Sequence, residues 1–197
     1  MARNVVAIVG SYRRGGTVDR LVDAVLNGAR DQGAQTSKII LTEKHIEYCR
    51  NCRNCTQAEG VERGHCAVQD DMQSILAELD AADAIVLGAP VNYYNVTAVF
   101  RVFLERLLGA AFWPWGQWSP AMRSRDLPRK AVLVSSLAAP RWFIYLTTGA
   151  PKALRVTAQC LGARPVARIF HGLSAGNQKP ELSEKVLRRA YQTGSAL

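Results

Sequence analysis

Val5-Val6-Ala7-Ile8-Val9-Gly10-Ser11-Tyr12-Arg13-Arg14-Gly15-Gly16-Thr17-Val18 opens this chain. The apolar run Val5–Val9, ended by Gly10, has the length and continuity of a strand covered on both faces. Val18, Leu21, Val22, Val25 and Ala29 then recur at helical spacing. The turn between them is rich in glycine, which lets several backbone N–H groups face one point. A helix N-terminus adds partial positive charge at that point. Ser11 and Thr17 supply hydroxyls, Arg13 supplies a guanidinium, and Gly15, Gly16 and Val18 supply backbone around them. These residues are candidates to cradle a phosphate. The plainer reading is a strand–helix turn in which Thr17 only caps the helix. The loop misses the triphosphate pattern G-x4-G-K-[ST], because Gly16 stands where the lysine belongs. The later run Ala84–Gly88 also ends without the acidic residue that would hold Mg²⁺. A terminal monophosphate suits the loop better, and the dinucleotide pattern G-x-G-x-x-G is absent.

The strand–helix alternation continues to the end of the chain. Lys38–Leu41 reads as a second strand, and Met72, Ile75, Leu76 and Leu79 share one helical face. Ala84–Leu87 is a third strand; Val96, Phe100, Phe103, Leu104 and Leu107 mark a helix; Ala131–Val134 is a fourth strand. Residues 141–161 read as one helix, Val166–Phe170 as a fifth strand, and Leu182, Val186, Leu187 and Ala190 as a last helix. Five such units predict a parallel sheet with helices on both faces. Ligands of that architecture bind beyond the carboxyl ends of the strands, where strand order reverses. The expected organisation is one domain over residues 1–197, with an irregular insert at 43–69.

Composition narrows the setting. Apolar residues make up 48% of 197 residues, ordinary for a globular chain, and no run approaches the ~18 apolar residues of a membrane span. Val5–Val9 is too short for a secretory leader and runs into Arg13 and Arg14, so the expectation is a cytoplasmic protein that does not engage a membrane. Its cysteines would then meet reducing conditions, where metal or redox roles outrank structural disulfides. The net charge of +9 is unevenly spread: residues 1–119 hold 12 Lys and Arg against 13 Asp and Glu, and residues 120–197 hold 13 against 3. Such asymmetry attracts anions. No nucleic-acid motif accompanies it, so nucleic acid is not an expected partner.

Two further stretches carry chemistry. After the third strand, Gly88-Ala89-Pro90-Val91-Asn92-Tyr93-Tyr94-Asn95-Val96-Thr97 lies where a planar ring could rest beside the first loop. Tyr93 or Tyr94 offers a stacking face, and turn amides can bond a ring's polar edge. Ser135, just past the fourth strand, is a further candidate at the same end of the sheet. Cys49-x2-Cys52-x2-Cys55-x10-Cys66 places four thiols within 18 residues. Four thiolates complete either a zinc or an iron–sulfur site, and the tight C-x2-C-x2-C start favours 4Fe–4S over zinc. Free thiols or a redox disulfide stay open. Cys160, among apolar residues, reads as core. Phe112–Pro120, with Trp113, Trp115 and Trp118, reads as an aromatic cover for a site or an oligomer contact; the alternative is a loop anchored by its own rings.

The order of these motifs resembles that of the flavodoxin-like NAD(P)H-dependent FMN reductases, and of their iron–sulfur flavoprotein branch. Those proteins read G-S-P-R-x-G-G-N-T, then a cysteine cluster leading to D-D-M, then G-x-P-x-Y-x-x-x-[ST]. This chain reads Gly10–Val18, then Cys49, Cys52, Cys55 and Cys66, then Asp70-Asp71-Met72, then Gly88–Thr97. It departs at Tyr12, where proline is usual, and at Thr17-Val18, where Asn-Thr is usual. The resemblance covers residues 4–136 well and the last third weakly. It implies a flavodoxin-like three-layer fold and an FMN with its phosphate at Ser11, Arg13, Gly16 and Thr17 and its ring beside Pro90, Val91, Asn92, Tyr93, Tyr94 and Asn95. It implies NADH or NADPH as donor, a small-molecule or protein electron acceptor, and a homodimer or homotetramer. No protein nucleophile or base is required, because the cofactor carries that chemistry. The rival readings are an electron carrier fed by ferredoxin and a binding module without a reaction.

Overall fold

A computed structural model describes residues 3–176 and 181–197. Its elements, in chain order, are β1 (Asn4–Val9), α1 (Thr17–Asp31), β2 (Gln35–Ile40), α2 (Met72–Asp80), β3 (Ala84–Gly88), β4 (Val91–Asn92) and β5 (Asn95–Val96). There follow α3 (Ala98–Glu105), β6 (Ala111–Phe112), β7 (Ala121–Met122), β8 (Arg129–Ser136), α4 (Phe143–Thr147), α5 (Ala150–Cys160), β9 (Ala163–His171) and α6 (Glu184–Ser195). The main sheet has the order β2-β1-β3-β8-β9, and every pairing in it is parallel. Strand order reverses at β1, which pairs with β2 on one side and β3 on the other.

Two apolar layers enclose the sheet. Val6, Ile8, Ile85, Leu87 and Leu133 face one layer with Phe100, Phe103 and Leu154; Val5, Ala7, Val9, Val86, Val132 and Val134 face the other with Leu21, Val25 and Ala190. The alternation follows from the two-residue period of a strand. Burial on both faces explains why β1 and β3 read as continuous apolar runs. On the second face α1 and α6 lie backbone to backbone. A Cβ on Gly28 would sit 2.0 Å from the Tyr191 carbonyl oxygen, and one on Gly194 would sit 1.8 Å from that of Val25.

Several boundaries differ from the sequence reading. β2 begins at Gln35 rather than Lys38 and ends at Ile40, with Leu41 opening a 3₁₀ turn to Glu43. As an edge strand it keeps the polar residues Gln35, Thr36 and Ser37, which hide it from an apolar pattern. β8 and β9 are longer than expected for the same reason at their ends. The helix expected over 141–161 is two helices. Thr148 is extended between them, and Pro151, which has no N–H to give, sits in the first turn of α5, where none is needed. Val96 belongs to β5, and Leu107 lies beyond α3 in the core. Residues 43–69 hold no strand or α-helix, only the end of that first turn and a second 3₁₀ turn at Asn54–Thr56.

Candidate functional site

A cavity of about 330 Å³ opens at the carboxyl ends of β1, β3 and β8, beside the reversal of strand order. Ser11, Tyr12, Arg13, Gly16, Thr17 and Val18 form its first wall. Gly10 starts that turn against Phe100, where a Cβ would lie 2.7 Å from the phenylalanine Cβ. Gly15 takes φ +67°, a left-handed conformation that costs glycine little. Its N–H donates to the buried Asp19 carboxylate at 2.7 Å, so Gly15 shapes the loop without lining the cavity. Lys38 lies 3.0 Å from Asp19 and 2.6 Å from Asp23, which offsets the acidic charge in the first turn of α1. Burial opposes the Lys38 charge, but the two carboxylates outweigh it and hold the ammonium above its ordinary pKa.

Thr17 does not cap α1. Gly16 is the N-cap, with no side-chain bond, and the Thr17 hydroxyl is bonded to no protein group among the described residues. The N–H groups of Thr17 and Val18 open the helix and have no intrahelical acceptor. The Ser11 hydroxyl accepts from the Arg13 N–H at 3.2 Å. Arg13 is exposed, and among the described residues its guanidinium pairs with no carboxylate; Arg14 instead pairs with Glu43. The loop therefore presents amides, hydroxyls and one uncompensated cation to the cavity. Tyr12, in the place where proline is usual, accepts the Val99 N–H at 3.3 Å and ties the loop to the start of α3.

Pro90, Val91, Asn92 and Thr97 form the second wall. The buried Thr97 hydroxyl donates to the Gly10 carbonyl and joins the two loops. β4 and β5 pair as a hairpin whose turn residues, Tyr93 and Tyr94, have φ of 50° and 64°. That turn type favours Asn and Gly, and a bulky residue in it is strained. The expected stacking role is not what the structure displays: both rings are exposed and neither lines the cavity. Asn95 is also outside it, packed against Gly149 with its Oδ1 accepting the Val96 N–H. Ser135 is a further correction. It is fully buried and donates to the Ala89 carbonyl at 2.7 Å, bracing the second wall from behind.

The third wall was missed. Ser136, Leu137, Ala138, Ser174 and Ala175 form it. Ser136 follows from strand alternation: if Ser135 faces the core layer of Leu133, its neighbour faces the other way. Ser174 donates to the Leu137 carbonyl at 2.7 Å across the loops that follow β8 and β9, a long-range contact with no local sequence signal.

The cysteine segment is closed at its neck by the Asp70-Asp71 pair. Asp71 accepts the His45 N–H at 2.8 Å, and Asp70 accepts the N–H of Glu47 at 2.8 Å and of Met72 at 2.9 Å. The Arg106 guanidinium is buried against Asp70 and donates to the Glu47 carbonyl at 2.8 Å and to Cys66 Sγ at 3.6 Å. Burial alone would raise the Asp70 pKa, but Arg106 and the two amides hold it below the usual carboxylate range. Gly64 touches the Cys55 carbonyl so closely that a Cβ would sit 1.7 Å from it. Burial, and then the thiols of Cys66, Cys49 and Cys52, push the Cys55 thiol up, so the four cysteines share one neighbourhood. Among the described residues no three His, Cys, Asp or Glu side chains converge closely enough to hold a single metal ion. Cys160 is partly buried against the core, as expected.

The tryptophan loop folds onto this same segment. Arg53 lies 3.9 Å from the Trp113 ring centre and 4.1 Å from that of Trp115, and Trp113 N–H donates to the Thr56 carbonyl at 2.9 Å. Arg123 donates to the carbonyls of Cys55, Ala58 and Gly60. Trp118 is left fully exposed.

A parallel sheet whose third, fourth and fifth strands are β3, β8 and β9, ordered 2-1-3-4-5 with a cradle at the reversal, defines a flavodoxin-like protein. Residues 3–139 match the family described as NADPH-dependent FMN reductase, and the chain belongs to that family of flavoprotein oxidoreductases. An iron-sulfur flavoprotein of Archaeoglobus fulgidus is 26% identical over 98% of this chain and 77% of its own length. An iron-sulfur flavoprotein of Methanocaldococcus jannaschii is 34% identical over 52% of this chain and 50% of its own. The chain thus spans most of one relative and half of the other. The solved NAD(P)H:quinone oxidoreductase from Methanothermobacter marburgensis superposes with a TM-score of 0.73 at 18% identity, covering 99% of this chain and 98% of that one. An azoreductase from Bacillus anthracis gives 0.71 at 15%, covering 99% and 100%. At such identities these likenesses establish the fold. Among the described residues no helix is long and apolar enough to cross a membrane.

Proposed function

We propose that the cavity binds FMN and that the chain, as one flavodoxin-like unit with a cysteine-bearing insert, carries electrons from NADH or NADPH to an acceptor. The observation that carries this reading is the cradle at the β1/β3 reversal, with unclaimed helix amides, the Thr17 hydroxyl and the uncompensated Arg13 at one end of a slot. Bound FMN would take up a hydride from the nicotinamide and release electrons singly or in pairs. The chain's own work is binding and orientation. Arg13, Ser11, Gly16 and Thr17 hold the phosphate. Pro90, Val91 and Asn92 border the ring on one side, and Ser136, Leu137 and Ala138 border the opposite side. Titrating apoprotein with FMN tests this: one FMN per chain, with tight binding, supports it, and a folded protein that takes up no FMN contradicts it.

Within the same reading, Cys49, Cys52, Cys55 and Cys66 hold a 4Fe–4S cluster, which would accept single electrons near the flavin. The relatives named as iron-sulfur flavoproteins support it. So does the donor set, four thiols around Cys55 with the Arg106 guanidinium donating toward one of them. Each thiolate of such a cluster binds a separate iron, so its ligands stand farther apart than the ligands of one ion. The setting proposed is cytoplasmic and the assembly a homodimer or larger.

A further inference from the structure

A second ligand-sized cleft, of about 590 Å³, lies at the outer edge of the sheet. Arg141 precedes α4, Arg168 is on β9 and Arg189 is on α6; all three line it, and no Asp or Glu does. Among the described residues none of the three pairs with a carboxylate. Arg189 donates to the Arg168 backbone carbonyl at 3.5 Å, which brings the α6 arginine over the strand edge.

Aromatic rings share the cleft, and they are fixed in place. Trp142 is 60% exposed yet stacks on Phe143 at 4.0 Å, and Tyr145 is 55% exposed yet leans on Phe170 at 5.7 Å. The edge is poorly suited to a peptide strand. Pro165 has no N–H to offer, the register of β9 slips beside it, and Arg189 already claims one carbonyl. Flat apolar faces beside uncompensated guanidinium groups suit a planar ring that carries phosphate.

The position of the cleft suggests which ligand that is. Ala138 lines the flavin cavity and Arg141 lines the cleft, so at most about 11 Å of chain separates the two walls. Leu173 N–H donates to the Ala139 carbonyl at 3.0 Å and fixes the partition between them. A dinucleotide, with two riboses and a pyrophosphate between its rings, can reach across such a partition. Resting on the function proposed above, we propose that this cleft receives the phosphoadenosine half of NADPH. Trp142 and Tyr145 offer faces to the adenine, Arg141, Arg168 and Arg189 hold the 2′-phosphate, and the nicotinamide end enters the flavin cavity. The cleft would then select NADPH over NADH.

The test uses the FMN-loaded protein and two exposed-site variants, Arg168→Gln and Arg141→Gln, with circular dichroism to check the fold. Adenosine 2′,5′-bisphosphate is titrated by calorimetry, and kcat/KM for flavin reduction is measured with NADPH and with NADH. The proposal expects the bisphosphate to bind the wild type and to compete with NADPH. It expects each variant to lower the NADPH-to-NADH ratio of kcat/KM about ten- to hundred-fold, the loss expected of one charge-assisted hydrogen bond. An unchanged ratio in both folded variants, or no bisphosphate binding to the wild type, overturns it. If neither nicotinamide reduces the flavin, the functional reading fails instead. The titration then decides the cleft by itself: bisphosphate binding that Arg168→Gln weakens supports a phosphoadenosine site, and its absence overturns one.

Discussion

Two arginines show how differently one residue type is used here. Arg13 stays exposed at the mouth of the cavity and, among the described residues, pairs with no carboxylate, whereas Arg106 is buried against Asp70 with its Nε unpartnered among those residues. Arg13→Ala should weaken FMN binding by about 1.5–3 kcal/mol, roughly ten- to hundred-fold, without loss of fold. Titration of the folded variant with FMN checks this, and unchanged affinity would remove Arg13 from the site. Asp70→Asn keeps the shape of the side chain but leaves the Arg106 charge buried alone, a loss of about 3–5 kcal/mol by the measure of other broken buried pairs. The sign of its pH dependence follows from the lowered pKa of Asp70. The stabilisation is present above the ordinary carboxylate range and is lost as pH falls through the lower folded value. Denaturant midpoints of wild type and Asp70→Asn should therefore converge in acid. A gap that stays constant down to the lowest pH at which both fold would contradict the assignment. The residues that wall the cavity could be read from sequence where a glycine-rich turn meets a helix, as at Gly16, Thr17 and Val18, although Gly15, read with them, lies outside that wall. They could not where one residue of phase matters, as with Ser135 and Ser136, nor where a turn points its side chains away, as at Tyr93 and Tyr94.

The cysteine segment is the element whose order was least apparent beforehand. Its lack of strand or α-helix suggested an irregular insert, yet arginines, the Asp70-Asp71 neck and the tryptophan loop pin it along its length. None of those contacts is local, so no periodicity could announce them. The glycines do part of the packing. Gly64→Ala must push the Cys55 carbonyl away, because the added carbon overlaps it. Overpacking of that kind costs about 1–3 kcal/mol, and here it should also displace a metal ligand. Thermal unfolding together with iron and sulfide analysis of anaerobically purified protein would show both effects. Full iron content in a stable Gly64→Ala protein would argue that the segment does not hold the cluster. Cys66→Ser should likewise lower iron and sulfide, while Cys160→Ser should leave them unchanged. The regular elements were read well where both sheet faces are covered, as in β1 and β3, and poorly at the polar edge strand β2 and across Thr148, where one expected helix became two.

The whole molecule joins a flavin-sized cavity to a basic far edge. The excess of Lys and Arg after residue 119, which sequence could only describe as anion-attracting, lies in the part of the chain that builds the Arg141–Arg168–Arg189 cleft. The oligomer contact expected at the tryptophan loop is changed in part: Trp113 and Trp115 both lie against Arg53 of the same chain, while Trp115 stays 67% exposed and Trp118 is fully exposed. Light scattering at micromolar concentration should still give at least twice the 21.6 kDa chain mass; a mass equal to one chain would exclude the proposed dimer. The proposed function depends on the cavity at the β1/β3 reversal being a flavin site. The most direct test is the absorbance spectrum of the protein after incubation with FMN and removal of free flavin on a desalting column. The account predicts a retained flavin spectrum with one FMN per chain in the wild type, reduced in Arg13→Ala. A folded wild-type protein that emerges colourless would contradict it.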